Sequence, residues 1–226
     1  MDETIAGTHA VRTAGQIPLQ QIPLQRGETS LQAAVRYAGE RHWDVVPGTW
    51  LVSDGAAQRC SCGDPACAAP GAHPARGDWA ATATGSPTVA RRLWQARPDA
   101  SVLLPTGRAF DALCVPETAG FLALARLERM ETALGPVTLT PLRRMQFFVL
   151  PGTSGKLPEV LRTLGWSPGS LDLVALGEGG YVVAPPTRWG TRGAVQWARR
   201  PTSANRWLPD AQELIPALAY ACARDR

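Results

Sequence analysis

Four side chains that commonly bind metal ions lie within fourteen residues, at Cys60, Cys62, Cys67 and His73. Zinc takes four nitrogen or sulfur ligands in a tetrahedron, and three cysteines with one histidine are a common structural set. The alternative is a chance group of free thiols, which the close spacing disfavours. The Cys-x-Cys start is less usual than Cys-x-x-Cys, so Cys62 is the least secure ligand. Four protein ligands leave no coordination position open for chemistry, and we therefore predict a structural Zn²⁺.

Arginines form the second group of residues whose chemistry points to a ligand. Arg143 and Arg144 begin a predicted strand and are candidates for contact with a nucleotide or a nucleic-acid phosphate; the alternative is a solvated turn. Further along, arginines alternate with tryptophans at Arg188, Trp189, Arg192, Trp197, Arg199, Arg200, Arg206 and Trp207. Arginine for phosphate and tryptophan for base stacking suit single-stranded nucleic acid, whereas packing in the core is the alternative for the same residues.

A mixed set of helices and strands must position these side chains. Thr29 with Gln32 forms a capping box, which predicts a helix from that point, and Ser86-Pro87 predicts the start of a second. Periodicity predicts further helices over 118–134, 158–164 and 211–224, and strands over 43–47, 49–53, 100–105, 110–115, 137–140, 145–150, 171–176 and 181–184. Because these elements alternate through one core, we predict an α/β (α+β) fold with a single domain over 29–226 and a zinc-binding loop at 59–78.

The first 28 residues are polar and carry a short tandem repeat, Gln-Ile-Pro-Leu-Gln, at 16–20 and 21–25. Proline at this spacing opposes helix and strand formation, so we expect a flexible N-terminal tail over 1–28. The alternative is a docking segment for a protein partner.

Composition narrows the class of protein. The chain has 226 residues, 45% of them hydrophobic, and a net charge of +4, which mildly favours an anionic partner. No apolar run reaches the roughly 18 residues that span a bilayer, and the acidic start of the chain is unlike a secretory signal. Three of the five cysteines are clustered, unlike an extracellular disulfide framework. We expect a cytoplasmic protein with no membrane partner.

Several segments, taken in order, resemble one family. They are 43–47 (Trp-Asp-Val-Val-Pro), the cysteine loop ending at His73-Pro74, Trp94 with 97–100, 105–107 (Pro-Thr-Gly), 110–116 (Phe-Asp-Ala-Leu-Cys-Val-Pro) and 177–186 (Gly-Glu-Gly-Gly-Tyr-Val-Val-Ala-Pro-Pro). Over roughly residues 30–200 the chain resembles the N-terminal domain of bifunctional DNA primase–polymerases (prim–pol), in the archaeo-eukaryotic primase superfamily. The small, Ala- and Arg-rich actinobacterial members look most similar. The resemblance implies a two-layer α/β domain whose sheet is related to RNA-recognition motifs.

The resemblance also implies a two-metal active site, from which this chain departs. The family holds two divalent ions with an Asp-x-Asp pair on one strand and a third acid on a later strand, and a histidine between them helps to hold the nucleotide's phosphates. Read onto this sequence, the acids of the pair fall at Cys114 and Pro116, and the histidine falls at Met145. Only the third acid has a match, Asp172. We therefore expect no Mg²⁺ or Mn²⁺ site and no catalysis.

Three functional hypotheses follow from these departures. The first is a catalytically degenerate prim–pol-like domain that binds nucleic acid, a nucleotide or a protein partner as a regulatory or accessory protein. The second is an active primase–polymerase with an altered metal site. Asp111 and Glu117 would be its pair, yet they lie about 20 Å apart on an extended strand, and Asp111 points away from Cys114. The third is a protein-interaction scaffold without nucleotide contacts.

Overall fold

The computed structural model describes residues 27–55 and 57–225. The predicted tail over 1–28, with its repeat and the proposed partner-docking role, falls outside these residues apart from its last two. The helices are α1 (Ser30–Arg41), α2 (Pro87–Ala96), α3 (Glu117–Arg129), α4 (Thr153–Thr163) and α5 (Ala211–Arg224). The strands are β1 (Val46–Pro47), β2 (Leu51–Asp54), β3 (Ala57–Cys60), β4 (Val102–Pro105), β5 (Asp111–Pro116), β6 (Val137–Thr140), β7 (Arg144–Val149), β8 (Val174–Leu176), β9 (Tyr181–Ala184) and β10 (Gln196–Arg199).

The larger sheet has five antiparallel strands in the order β10-β6-β7-β5-β8. One of its faces is covered by α3, α4 and α5, and the core between them includes Leu113, Val115, Phe147 and Leu218. Side chains alternate between the two faces along each strand, so the other face of β5 and β7 carries the intervening residues. Of the predicted site residues on these two strands, Cys114, Pro116 and Arg144 lie on that second face.

A smaller antiparallel sheet, β1-β4-β9, packs with α1 and α2. A cluster of five aromatic side chains connects it to the larger sheet: Tyr37, Trp43, Phe110, Phe148 and Trp197. The hairpin β2–β3 leads directly into the cysteine loop. Helices packed on antiparallel sheets confirm the predicted mixed α/β fold.

Among the elements that differ from the sequence-based expectation are α4, the hairpin strand β3, which was not predicted, and the edge strand β10. Helix α4 begins at Thr153 rather than at 158, because the Asp111 carboxylate accepts hydrogen bonds from the backbone N–H groups of Thr153 and Ser154 at 2.7 and 3.2 Å. This cap comes from a distant strand, so the local sequence gives no sign of it. Strand β10 was not predicted at all. It pairs along the edge of β6, and its four residues, Gln-Trp-Ala-Arg, do not alternate in hydrophobicity.

The periodicity of 118–134 predicts an apolar stripe of Phe121, Leu124, Ala125, Leu127 and Met130, and this prediction is only partly right. Leu124 and Leu127 are buried as expected, but Phe121 and Met130 are 40% and 62% exposed. The buried face is instead completed by small residues such as Gly120, which let the helix approach the sheet closely. Among the described helices, none is long and apolar enough to cross a membrane.

Candidate functional site

The four predicted metal ligands come together at one point of the structure. The ligand atoms of Cys60, Cys62, Cys67 and His73 all lie within 4.8 Å of one another. His73 Nε2 is 3.4 Å from the Sγ atoms of both Cys60 and Cys67, and a tetrahedral zinc ion places sulfur and nitrogen ligands about 3.5 Å apart. His73 Nδ1 lies 2.8 Å from the carbonyl oxygen of Pro74, which can only accept, so Nδ1 carries the proton and Nε2 is free to bind metal. The cluster could hold a zinc ion.

The backbone around the cluster holds the loop in this shape. Strand β3 ends at Cys60, and the chain returns through Gly71, whose φ of +72° favours glycine. A Cβ on Gly71 would lie 2.8 Å from Leu51, so the close approach of the loop to β2 also requires glycine. The end of the loop is attached to the small sheet because the backbone N–H of Thr49 donates to the His73 carbonyl at 2.8 Å.

Electrostatics make one thiol ready to bind metal. Burial alone would raise the pKa of Cys60, but hydrogen bonds, led by those from the backbone N–H groups of Cys62 and Gly71, lower it to about 6. The pKa of Cys67 is raised to about 11, first by desolvation and then by the neighbouring cysteines. A cation at the centre of the cluster would stabilise the thiolate form of both cysteines.

The pairing of β5 with β7 determines which side chains share the sheet face on which the family resemblance implies an active site. Cys114 on β5 lies opposite Gln146 on β7, and Pro116 lies opposite Arg144. Met145 is fully buried on the other face, beneath α3, where a Cβ on Gly120 would come within 2.6 Å of its Sδ. Met145 therefore does not share a sheet face with Cys114 and Pro116, and its assignment to the histidine position stays a prediction from the resemblance. The residue that faces Cys114 is Gln146.

Arg144, the first residue of β7, lies on this face and contacts two other predicted site residues. Arg144 donates to both carboxylate oxygens of Asp172, at 2.5 and 2.8 Å, and its Nε donates to Cys114 Sγ at 3.4 Å. The hydrogen bond from Arg144 holds the pKa of Asp172 below its usual range, and burial raises the pKa of Cys114. The predicted site residues Cys114, Arg144 and Asp172 are thus in direct contact. The one matching acid is paired with a positive charge.

Two acids near this strand serve other purposes. Asp111 is fully buried on the helix-covered face, where its carboxylate caps α4, which confirms that it points away from Cys114. Glu117 begins α3 and pairs with Arg143 at 3.2 Å. Arg143 itself is mostly exposed, with a side chain 78% accessible, and stays available to an incoming anion.

The ion pair predicts a measurable titration. Arg144→Ala should raise the pKa of Asp172 towards the ordinary value of about 3.9, because the guanidinium that stabilises the carboxylate is gone. In the wild type the stabilisation is present above that ordinary value and is lost as the pH falls through the lowered folded-state pKa. Carboxyl carbon shifts followed by NMR report the titration. Arg143→Ala is the matched control and should leave Asp172 unchanged; an unchanged pKa in Arg144→Ala would contradict the pairing.

Comparison with known proteins places the chain in one family. The family model described as "Bifunctional DNA primase/polymerase, N-terminal" matches residues 34–209, which covers most of the chain. Searches of curated proteins and of solved structures give no match. The matched span includes the cysteine loop, both sheets and the residues Cys114, Arg144 and Asp172. This chain belongs to the family of bifunctional DNA primase/polymerase N-terminal domains.

Proposed function

We propose that this chain is a catalytically inactive member of its family, acting by binding nucleic acid or a nucleotide. The single observation that carries the proposal is the ion pair of Arg144 with Asp172. It joins the only carboxylate that matches the family's metal ligands to a guanidinium that is part of the chain. A regulatory or accessory role follows, because such a domain would hold its ligand without extending it.

The argument against two-metal catalysis is electrostatic. Phosphoryl transfer through two divalent ions needs several carboxylates that hold both ions and offset their charge. Cys114 and Pro116 supply none, and Gln146, opposite Cys114, is neutral. The Arg144 guanidinium repels a divalent ion and offsets the charge of the Asp172 carboxylate, so the pair presents no net negative charge that could hold the ion. Mg²⁺ or Mn²⁺ binding here is therefore unfavourable.

Arg143 supports the choice of an anionic ligand. Its ion pair with Glu117 is exposed on the arginine side, and exposed pairs contribute only about 0–1 kcal/mol, so a phosphate could replace the carboxylate at little cost. Arg144 is less available, because its donors are engaged with Asp172 and Cys114. We further propose that a protein partner binds the N-terminal tail. We also propose a cytoplasmic location, where the clustered thiols stay reduced.

The test is synthesis of DNA by the purified full chain. With Mg²⁺ or Mn²⁺ it should neither extend a primer nor make one, because losing ligands of a catalytic unit commonly costs several orders of magnitude. Titration calorimetry with Mn²⁺ should show no ion bound outside the cysteine cluster. A parallel screen against nucleotides and short single- and double-stranded DNA identifies the ligand.

Asp172→Ala is the control for the synthesis assay. Template-dependent products that disappear in this variant would show an active enzyme with an altered metal site. Inactivity combined with no binding to any nucleotide or DNA would instead favour the protein-interaction scaffold.

A further inference from the structure

One tryptophan of the arginine-rich segment lies open to solvent. Trp207, in the turn between β10 and α5, is 87% exposed, the highest fraction among the large apolar side chains of the described residues. Trp197 is only 3% exposed and belongs to the aromatic cluster, and Trp189 packs partly buried against the small sheet. An indole left in water within an otherwise packed protein is an available contact surface.

The turn that carries Trp207 is held rigidly by its neighbours. Thr202 and Asn205 form a capping box, and the buried Asn205 side chain also donates to the Arg200 carbonyl at 2.8 Å. Arg41 at the end of α1 donates to the carbonyl oxygens of Thr202 and Asn205 at 2.9 and 2.7 Å. Because the backbone is already ordered, a ligand that stacks on the indole would pay little conformational entropy for the turn.

Two exposed arginines lie in the same turn as Trp207. Arg200 and Arg206 flank the turn and are exposed, and no carboxylate of the described residues lies within ion-pair distance of either. The pKa of Arg41 is lowered, first by burial and then by the positive charge of Arg206. A groove of about 610 Å³ opens beside the turn; Arg200 lines it, as do Arg36 and Glu28, which form an ion pair with each other.

We propose that the turn at 200–207 is a contact site for single-stranded nucleic acid. Trp207 stacks on an unpaired base, and Arg200 and Arg206 contact the adjacent phosphates. A single strand carries phosphates, which arginine binds, and unpaired base faces, on which tryptophan stacks. In a duplex the base faces are covered by their neighbours. The inference rests on the nucleic-acid binding proposed above and assigns it to a specific surface.

This surface is separate from the Arg144 site. Strand β6 connects the two, since Val137 at its start pairs with Arg199 and Thr140 at its end pairs with Arg144. The turn at 200–207 follows directly after Arg199. The two regions therefore lie at opposite ends of β6, and variants in one leave the other intact.

Fluorescence anisotropy of a labelled oligothymidine, titrated with the full chain, tests the proposal. At about 50 mM salt, Trp207→Ala should weaken binding about 5- to 150-fold, the loss expected for one base–aromatic stack. Trp207→Phe should keep most of the affinity, because a phenyl ring still stacks. The slope of log affinity against log salt is negative, and Arg200→Ala and Arg206→Ala should each make it less negative by about 0.7, the contribution of one phosphate contact on a single strand.

Matched controls lie elsewhere on the surface. Met130→Ala removes an exposed apolar side chain, and Arg91→Ala removes an exposed arginine from α2; both should bind like the wild type. Trp207→Ala binding with wild-type affinity and salt slope would overturn the inference, while oligothymidine binding by the chain would leave the proposed function standing. The inference would also be overturned if the wild type did not bind oligothymidine. Self-association that Trp207→Ala abolishes would assign the indole to a protein interface instead. The synthesis assay is independent of all these outcomes.

Discussion

Replacing Cys67 with serine should release zinc from the protein and unfold the loop that its ligands close. Apparent free energies of structural zinc binding in small zinc-finger peptides reach about 10–16 kcal/mol, so the metal dominates the stability of such a loop. Between residues 59 and 78 only Cys60, Gly71 and Ala72 are buried, which leaves little core to hold the loop without metal. Elemental analysis should find close to one zinc per wild-type chain and much less in the variant.

Hydrogen exchange should show how far the unfolding spreads. The backbone N–H of Gly190 donates to the Pro70 carbonyl at 2.9 Å, and Ala72 is buried in the core beneath the small sheet. Exchange should therefore rise over 59–78 and at 188–192, while α3 and α5 stay protected. Cys114→Ser, the same substitution outside the cluster, should keep its zinc. A metal-free wild type with a protected loop would refute the assignment.

The largest loss of global stability is expected from Trp43→Ala. Trp43 is 3% exposed, and its ring centroid lies 5.3 Å from that of Phe110, 5.2 Å from Phe148 and 6.4 Å from Trp197. Removing the indole leaves a cavity at the contact between the two sheets, and buried Trp→Ala changes cost about 3–5 kcal/mol in free energy of unfolding. Urea denaturation followed by circular dichroism measures the loss.

Trp207→Ala is the control for this experiment. It deletes the same atoms from an exposed position, so its free energy of unfolding should stay within about 0.5 kcal/mol of the wild type. Equal losses in the two variants would show that Trp43 does not join the sheets as described. The same control also establishes that any loss of DNA binding by Trp207→Ala is not a loss of folding.

Features encoded by neighbouring residues could be predicted from the sequence. The capping box of Thr29 and Gln32 forms as expected, with Thr29 N–H donating to Gln32 Oε1 at 2.9 Å. Ser86 caps α2 with Pro87 at its first position, and α5 spans the predicted 211–224. The metal ligands converge because all four lie in one short loop. In each case the interacting groups are close in sequence, so spacing alone constrains the geometry.

Features that depend on pairing between distant strands could not be predicted from the sequence. The sheet face that Met145 occupies could not be predicted, because a shift of one residue moves a side chain to the opposite face, and only the register of β5 with β7 places Gln146 rather than Met145 opposite Cys114. The contact of Arg144 with Asp172 joins residues 28 positions apart. The residue types alone did not indicate this ion pair, because an arginine at the start of a strand fits a solvated turn equally well.

The Arg144–Asp172 pair also bears on what mutation could do to this face of the sheet. A divalent ion must be supplied from solution, whereas the guanidinium is covalently present beside Asp172 at all times. A single Cys114→Asp change would give Arg144 a second carboxylate to pair with, since its Nε already contacts that position. Under the proposed inactivity, a carboxylate added to this face pairs with the guanidinium rather than with an ion, so creating a metal site here would need Arg144 to change as well.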